Sequence, residues 1–316
     1  MVQNKMKAVV RYRYGPPEVL QLAEVDVPVP RENEILVQIR ASAVTASDIF
    51  IRSSNIPLRF KIPMRIYMGI FRPRALIIGL VFSGIVQSAG PKIKRFSPGD
   101  EVYGITGFKL GTYAEYACMK ETDSTTGCVS VKPKNITFEE ATSAAYGGSL
   151  ALQAMDPVNI EPKDNILIYG ASSTSGTIAV QYGKYLGATV TAVCSGRHTD
   201  FVKSLGADYV IDYTITTTLA ENAKFNFIMD SVGKIKTSKL KENCKKALTD
   251  DGKYASIDNG ALKLSSKRLD FLTGLIENEK IRPVLDKIYP LEEIVEAHRY
   301  VEKGHKLGGV AVTVSQ

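Results

Sequence analysis

Residues 166–197 constrain this chain more than any other stretch. The apolar run Ile166-Leu167-Ile168-Tyr169 gives way to a turn of small residues, Gly170-Ala171-Ser172-Ser173-Thr174-Ser175-Gly176. A helical pattern follows through Ile178, Val180, Tyr182 and Leu186, and a second strand, Thr189 to Cys194, ends at Ser195-Gly196-Arg197. Strand, tight turn, helix and strand form the βαβ unit that holds a dinucleotide with its pyrophosphate at the helix N-terminus. The residues beyond the second strand choose between the two nicotinamide dinucleotides. A carboxylate there hydrogen-bonds a free 2′-hydroxyl on the adenosine ribose, whereas a guanidinium pairs with a 2′-phosphate. Arg197 and Ser195 suit the phosphate, so the sequence predicts NADPH as cofactor.

A chain of 316 residues can form two domains, each with its own core. Its hydrophobic share of 44% and charged share of 23% are ordinary for a globular protein. No apolar run approaches the roughly 20 residues that span a bilayer. The segment Met1 to Lys7 enters a strand pattern directly and lacks the apolar core of a signal peptide. Cys118, Cys128, Cys194 and Cys244 are scattered, with no CxxC pair. That predicts reduced thiols in a cytoplasmic protein rather than a disulfide framework or a zinc site. The net charge of +7 is spread along the chain, which reads as a solvated surface that also favours an anionic cofactor. No basic stripe is interleaved with exposed aromatics, so a nucleic-acid partner is not expected.

The first part of the chain reads as all-β. Short runs such as Ala8-Val9-Val10, Ile35 to Ile39 and Gly84-Ile85-Val86 are punctuated by Gly and Pro. The turns Ser97 to Asp100 and Lys109 to Thr112 are each expected to lead into a strand. At Thr137 the texture changes: Phe138 starts a helix, with Thr137 as N-cap and Glu140 at the capping-box position. Strands at 166–171, 189–195, 209–213, 225–232 and 252–257 then alternate with helices, including one from Lys236 to Leu248. Such alternation argues for a doubly wound parallel sheet. The tail predicts a helix at 267–279, a strand near Arg282 to Leu285, a helix from Leu291 to Lys303 and a last strand at 309–314.

The order of a β domain, a nucleotide domain and a return to the β domain resembles the medium-chain dehydrogenase/reductase superfamily. Within it the chain is similar to the zinc-independent quinone oxidoreductase branch that includes zeta-crystallin. The likeness covers nearly the whole chain. Its landmarks are Ala43 to Asp48, Arg95 to Val102, Gly111 to Tyr116, Ala179-Val180-Gln181, Ser204 to Tyr213 and Glu296 to Val301. It implies a GroES-like β-barrel catalytic domain over 1–128 and 265–316, joined to a Rossmann NADP-binding domain over 129–264. It also implies an active site in the cleft between them.

Zinc-dependent relatives place a Cys where this chain has Thr45, and a His where it has Leu80, beside Gly79. Neither Thr nor Leu is a useful zinc ligand, and the stretch between Gly104 and Gly111 has no room for a four-Cys lobe. The resemblance therefore implies a zinc-free enzyme whose substrates already accept hydride, namely quinones and α,β-unsaturated carbonyls.

The phosphate turn departs from the family, which usually has glycines at Ser173 and Thr174; Gly176 keeps the third position. Relatives often carry Asn at the Thr45 position and Tyr at the Phe50 position. Their Gly-Leu-Thr reads Gly148-Ser149-Leu150 here. Thr45 and Ser149 are accordingly the polar groups expected near the nicotinamide; the alternative reading of Thr45 and Phe50 is a strand end and a core aromatic. The expected cofactor contacts are Ser172, Ser173, Thr174, Ser175, Gly176, Ser195, Arg197, Tyr213, Val232 and Ile257.

Several residues carry open alternatives. The stretch Ile56 to Leu80, apolar with Arg59, Lys61, Arg65, Arg72 and Arg74, reads either as a basic lid over the substrate or as an ordinary packed loop and strand. Its prolines disfavour a continuous amphipathic helix, and stable membrane binding is not expected. His198 either helps hold a 2′-phosphate or starts an exposed helix; His298 and His305 are expected at the surface, and Cys194 in packing. After Ile257 the chain is short of a sixth nucleotide-domain strand, unless Leu262-Lys263-Leu264 supplies a short edge. The expected assembly is a monomer or weak homodimer. The function expected is NADPH-dependent, metal-free hydride transfer to a small lipophilic quinone or enone. The alternatives are an NADPH-binding or sensing protein with little catalysis, and a metal-free alcohol or aldehyde reductase.

Overall fold

The computed structural model describes residues 5–54, 65–234 and 236–315. It divides into two units. One comprises Met1–Ala145, Leu264–Thr273 and Leu285–Gln316; the other comprises Tyr146–Lys263 and Gly274–Val284.

The second unit is built on a five-stranded sheet with every pair parallel. In spatial order its strands are Tyr209–Asp212, Thr189–Cys194, Asn165–Tyr169, Phe225–Asp230 and Leu248–Ser256. The inner strands are continuous apolar runs because both faces of such a sheet are covered. Ile166, Leu167, Ile168, Val190, Val193, Phe227 and Met229 all have zero exposure. Strand order reverses at Asn165–Tyr169: its successor lies on one side and Phe225–Asp230 on the other. The crevice beyond the carboxyl ends of these two strands is where an open α/β sheet binds its ligand.

The first unit holds a two-stranded antiparallel ribbon, Lys5–Val10 with Gln21–Asp26, and a seven-stranded sheet. That sheet is antiparallel except for the pair Leu285–Pro290 and Gly309–Thr313. Its core is Ile35, Val37, Ile39, Phe82, Val102 and Val129 with their neighbours. Burial of each large aliphatic or aromatic side chain contributes about 1.5–3 kcal/mol. The helix Phe138–Ser143 starts where the sequence placed it, with Thr137 and Glu140 closing a capping box.

Several element bounds differ from the sequence reading. The strand expected near Arg282 starts instead at Leu285. Pro283 has no amide to donate, and the Gln181 side chain holds both backbone groups of Arg282 at 2.8 and 3.0 Å. The fifth strand of the parallel sheet begins at Leu248 rather than 252, with an irregular register opposite Phe225–Phe227. The helix expected from Lys236 is only Lys239–Lys246, because Ser238 caps it. Residues 291–293 form a 3-10 turn ahead of the helix Ile294–Glu302. The chain at Leu262-Lys263-Leu264 is not a strand. Residues 56–64 of the basic apolar stretch lie outside the described residues; beyond them Ile66, Tyr67, Ile70 and Phe71 are exposed. No described helix is long and apolar enough to cross a membrane.

Candidate functional site

The carboxyl end of Asn165–Tyr169 is shaped by two glycines. Gly170 has φ +82°, and a Cβ there would lie 2.4 Å from Val232 Cγ2. A Cβ on Gly176 would lie 2.2 Å from the Gly170 carbonyl oxygen. The turn therefore folds back on itself more tightly than any side chain allows. Ser173 then caps the helix Thr174–Tyr185, its Oγ accepting from the Gly176 amide at 3.0 Å. The remaining first-turn amides have no intrahelical acceptor, and the helix dipole is positive here, so the turn is a cradle for a phosphate anion. Gly147 packs on Thr174 from behind: a Cβ on it would meet the Thr174 carbonyl oxygen at 2.6 Å. Ser149, buried at the start of the helix Ser149–Met155, follows two residues later.

Across the switch point the sequence reading missed a residue. Ser231 Oγ lies 2.6 Å from Ser173 Oγ and 2.5 Å from Ser175 Oγ, so three hydroxyls tie the turn to the end of Phe225–Asp230. The Ser173 hydroxyl, expected to face a phosphate, is thus shared between Gly176 and Ser231. Behind Ser231 is Asp230, fully buried. Its Oδ1 accepts from the Val232 and Gly233 amides at 3.0 and 3.1 Å. Its Oδ2 accepts from Tyr254 at 2.8 Å and Ser256 at 3.2 Å, and pairs with Lys241 Nζ at 2.6 Å. Lys241, also buried, donates in turn to the carbonyls of Gly233 and Lys236. Asp230 and burial together hold the Tyr254 phenol well above its ordinary pKa. This buried pair holds the backbone of Val232, Gly233 and Lys236, and so positions Ser231 beside them. In the sequence, Asp230 and Ser231 fall inside the strand expected over 225–232, and Lys241 is one basic residue among several.

At the other end of the site, Ser195 precedes the 3-10 turn Gly196–His198, and its Oγ is 3.4 Å from His198 Nδ1. Tyr213 is 48% exposed and its amide is held by the Cys194 carbonyl at 3.1 Å. Ile257 follows the last strand, its amide on the Asp230 carbonyl. The residues expected to contact cofactor all fall in this unit, around the carboxyl ends of its strands. Cys194 is buried, and burial pushes its thiol up to about 11, which fits packing rather than nucleophilic chemistry.

Thr45 falls in the other unit. It is the N-cap of the helix Ala46–Ser53, in a capping box with Asp48: its Oγ1 donates to Asp48 Oδ2 at 2.5 Å and accepts from the Asp48 amide. The strand-end reading of Thr45 gives way to this cap. Phe50 is 41% exposed, so it is not a core aromatic; it falls on the outer face of that short helix. Asp48 is buried, and its carboxyl is pushed up to about 6 by desolvation.

His298 corrects another expectation, since it is completely buried rather than on the surface. Its Nδ1 lies 3.2 Å from buried Arg52, which also binds Glu302 and the Gly15 carbonyl. Burial and the charges of Arg52 and Arg11 press His298 down to about 3, so it stays neutral. The helical spacing that puts Ala297 and Val301 inside carries His298 with them. His305 is exposed, just past that helix.

Three family models match: an alcohol dehydrogenase GroES-like domain over residues 31–131, and zinc-binding dehydrogenase models over 176–276 and 258–312. The mitochondrial NAD(P)H oxidoreductase RTN4IP1 of Mus musculus is 30% identical, over 98% of this chain and 89% of its own. The chain belongs to the medium-chain dehydrogenase/reductase superfamily. A 2-methylene-furan-3-one reductase of Solanum lycopersicum is 29% identical, covering 98% of this chain and 80% of its own. The solved quinone oxidoreductase from Coxiella burnetii superposes with a TM-score of 0.81 at 25% identity, over 98% of this chain and all of that one. As a medium-chain dehydrogenase/reductase, the chain pairs a GroES-like domain with a Rossmann domain.

The superfamily includes zinc enzymes, and Thr45 and Leu80 offer that metal no ligand. The Thr45 hydroxyl and the Leu80 amide both face the Asp48 carboxylate, and neither position offers a Cys or His. Among the described residues no three His, Cys, Asp or Glu side chains gather at one point. The four cysteines are separately buried, with thiols raised to about 11 or 12. A nicotinamide dinucleotide, by contrast, fits the Gly170–Gly176 cradle.

Proposed function

We propose that this chain is an NADPH-dependent, zinc-free reductase of quinones or α,β-unsaturated carbonyls, acting as a monomer or weak dimer in a reducing compartment such as the cytoplasm. The observation that carries the reading is the Gly170–Gly176 cradle, closed by the Ser173–Ser231–Ser175 hydroxyls, with Arg197 at the end of the next strand. The names of the tomato and Coxiella relatives support the acceptor class.

The first-turn amides of Thr174–Tyr185 would hold the pyrophosphate, Arg197 and Ser195 the 2′-phosphate, and Tyr213, Val232 and Ile257 the groove between. A reduced nicotinamide bound there supplies a hydride. The protein's part is to fix the dinucleotide: Asp230 and Lys241 lock the loop behind Ser231 so that the cradle is formed before the ligand arrives. Thr45 and Ser149 are the hydroxyls assigned to the acceptor side. With Asp48 ionised, the Thr45 proton is held on Oδ2, and protonation of Asp48 releases it for donation.

A panel of acceptors tests this. NADPH should be consumed with quinones or enones and not with simple ketones, at a rate indifferent to a chelator. Chelator-sensitive oxidation of alcohols with NAD would overturn the metal-free reading. Tight NADPH binding without turnover on any acceptor would favour a sensing role.

A further inference from the structure

Beside the Ser195–Arg197 turn stands a carboxylate that sequence reasoning gave no role. Asp212 ends the strand Tyr209–Asp212 and is level with Cys194 in the parallel pairing. Its Oδ1 accepts from the Thr214 amide at 2.9 Å and the Thr214 hydroxyl at 2.7 Å. The Gly196 amide donates to the same carboxylate, and Oδ2 lies 2.3 Å from where a Cβ on Gly196 would sit. Those hydrogen bonds hold its pKa below the usual carboxylate range, so it is ionised at neutral pH. Asp212 is therefore a fixed negative charge pressed against the residue between Ser195 and Arg197. Gly196 is what lets it approach.

We infer that Asp212 is a specificity-determining residue for the dinucleotide: it opposes the 2′-phosphate that Arg197 attracts, so that the site accepts NADH as well as NADPH. This rests on the nucleotide-binding reading above. Three features of the geometry support it. The Gly196 amide, the first donor of the 3-10 turn and a natural phosphate ligand, is already taken by an internal anion. Arg197 follows Gly196 directly in the chain and the Asp212 carboxylate presses against that same glycine, so the turn carries charges of both signs. A carboxylate at this end of the site is also an acceptor for a ribose hydroxyl, the interaction that recognises the unphosphorylated cofactor.

A merely structural Asp212, holding the Thr214 turn, would affect both cofactors alike. The test is direct titration of the whole protein with NADPH and NADH, by nicotinamide fluorescence at low and high salt. Asp212→Asn keeps an acceptor for Thr214 and removes the charge. It should tighten NADPH by about tenfold at low salt, with the gain shrinking as salt rises, and leave NADH within about twofold or weaker. Asp212→Ser, checked for an unchanged melting temperature, should shift the ratio the same way. Equal shifts for both cofactors, or an unchanged ratio with NADPH still bound, would overturn the inference alone. Wild-type protein that binds neither dinucleotide would overturn the nucleotide-binding reading, and this inference with it.

Discussion

Replacing Lys241 with Met probes the device that holds the nucleotide site together. Asp230 and Lys241 are 0% and 2% exposed at the side chain, with Nζ and Oδ2 2.6 Å apart. At an effective dielectric of about 20 such a pair attracts by roughly 6 kcal/mol, and desolvation of two ions offsets most of that. The intact pair is thus worth little net, while removing one partner leaves the other charge buried at a cost of about 3–5 kcal/mol. Two details place Lys241→Met within that range. Asp230 retains the Val232 and Gly233 amides and the Tyr254 and Ser256 hydroxyls, which lowers the cost. The carbonyls of Gly233 and Lys236 lose their ammonium donor, which restores about 1 kcal/mol each. The expected loss is about 4 kcal/mol, with NADPH affinity falling as the Ser231 loop loosens. The double variant Asp230→Asn/Lys241→Met should be more stable than the sum of its singles by about 3 kcal/mol. The chain has no tryptophan, so urea unfolding is best followed by far-ultraviolet circular dichroism. A Lys241→Met protein within about 1 kcal/mol of wild type would refute the reasoning.

Three other perturbations have outcomes that the structure specifies. Gly176→Ala drives a methyl into the Gly170 carbonyl and Ala171 and should cost about 1–3 kcal/mol along with dinucleotide affinity. Gly274→Ala, inside the helix Ser266–Glu277 with open space around it, should stabilise by about 0.5–1 kcal/mol in the same urea unfolding. Asp48 is pushed from 3.8 up to about 6 in the folded chain, so the folded state holds its proton more tightly. Stability from this group is full below pH 3.8 and falls by about 3 kcal/mol as pH rises through 6; Asp48→Asn should flatten that fall in urea midpoints taken from pH 4 to 7. Sizing by light scattering should give a monomer or weak dimer, and a tight dimer joined through the edge strand Leu248–Ser256 would contradict that assembly.

The parts of this molecule that were legible in its sequence are those set by local pattern. Ile166-Leu167-Ile168 read as a buried parallel strand because a run apolar on both faces leaves few alternatives, and Thr137 with Glu140 announced a helix start by capping chemistry alone. What stayed hidden depends on distant residues meeting. Ser231 is 56 residues from Ser175 in the chain, and Asp212 is 16 residues beyond Gly196; nothing local marks either as part of the site. His298 was misplaced because a histidine in a tail helix is usually exposed, whereas this one shares the inward face of its helix with Ala297 and Val301 and meets buried Arg52 there. Strand ends were off where a side chain replaced a backbone partner, as Gln181 does at Arg282.

The central claim is that the Gly170–Gly176 turn and the Ser195–Arg197 turn together grip a 2′-phosphorylated nicotinamide dinucleotide. A crystal structure of the protein soaked with NADP tests it most directly. The account predicts the pyrophosphate on the amides that open Thr174–Tyr185 and the Arg197 guanidinium on the 2′-phosphate. Clear density for the nucleotide elsewhere, or Arg197 turned to solvent with the phosphate held by other groups, would contradict it.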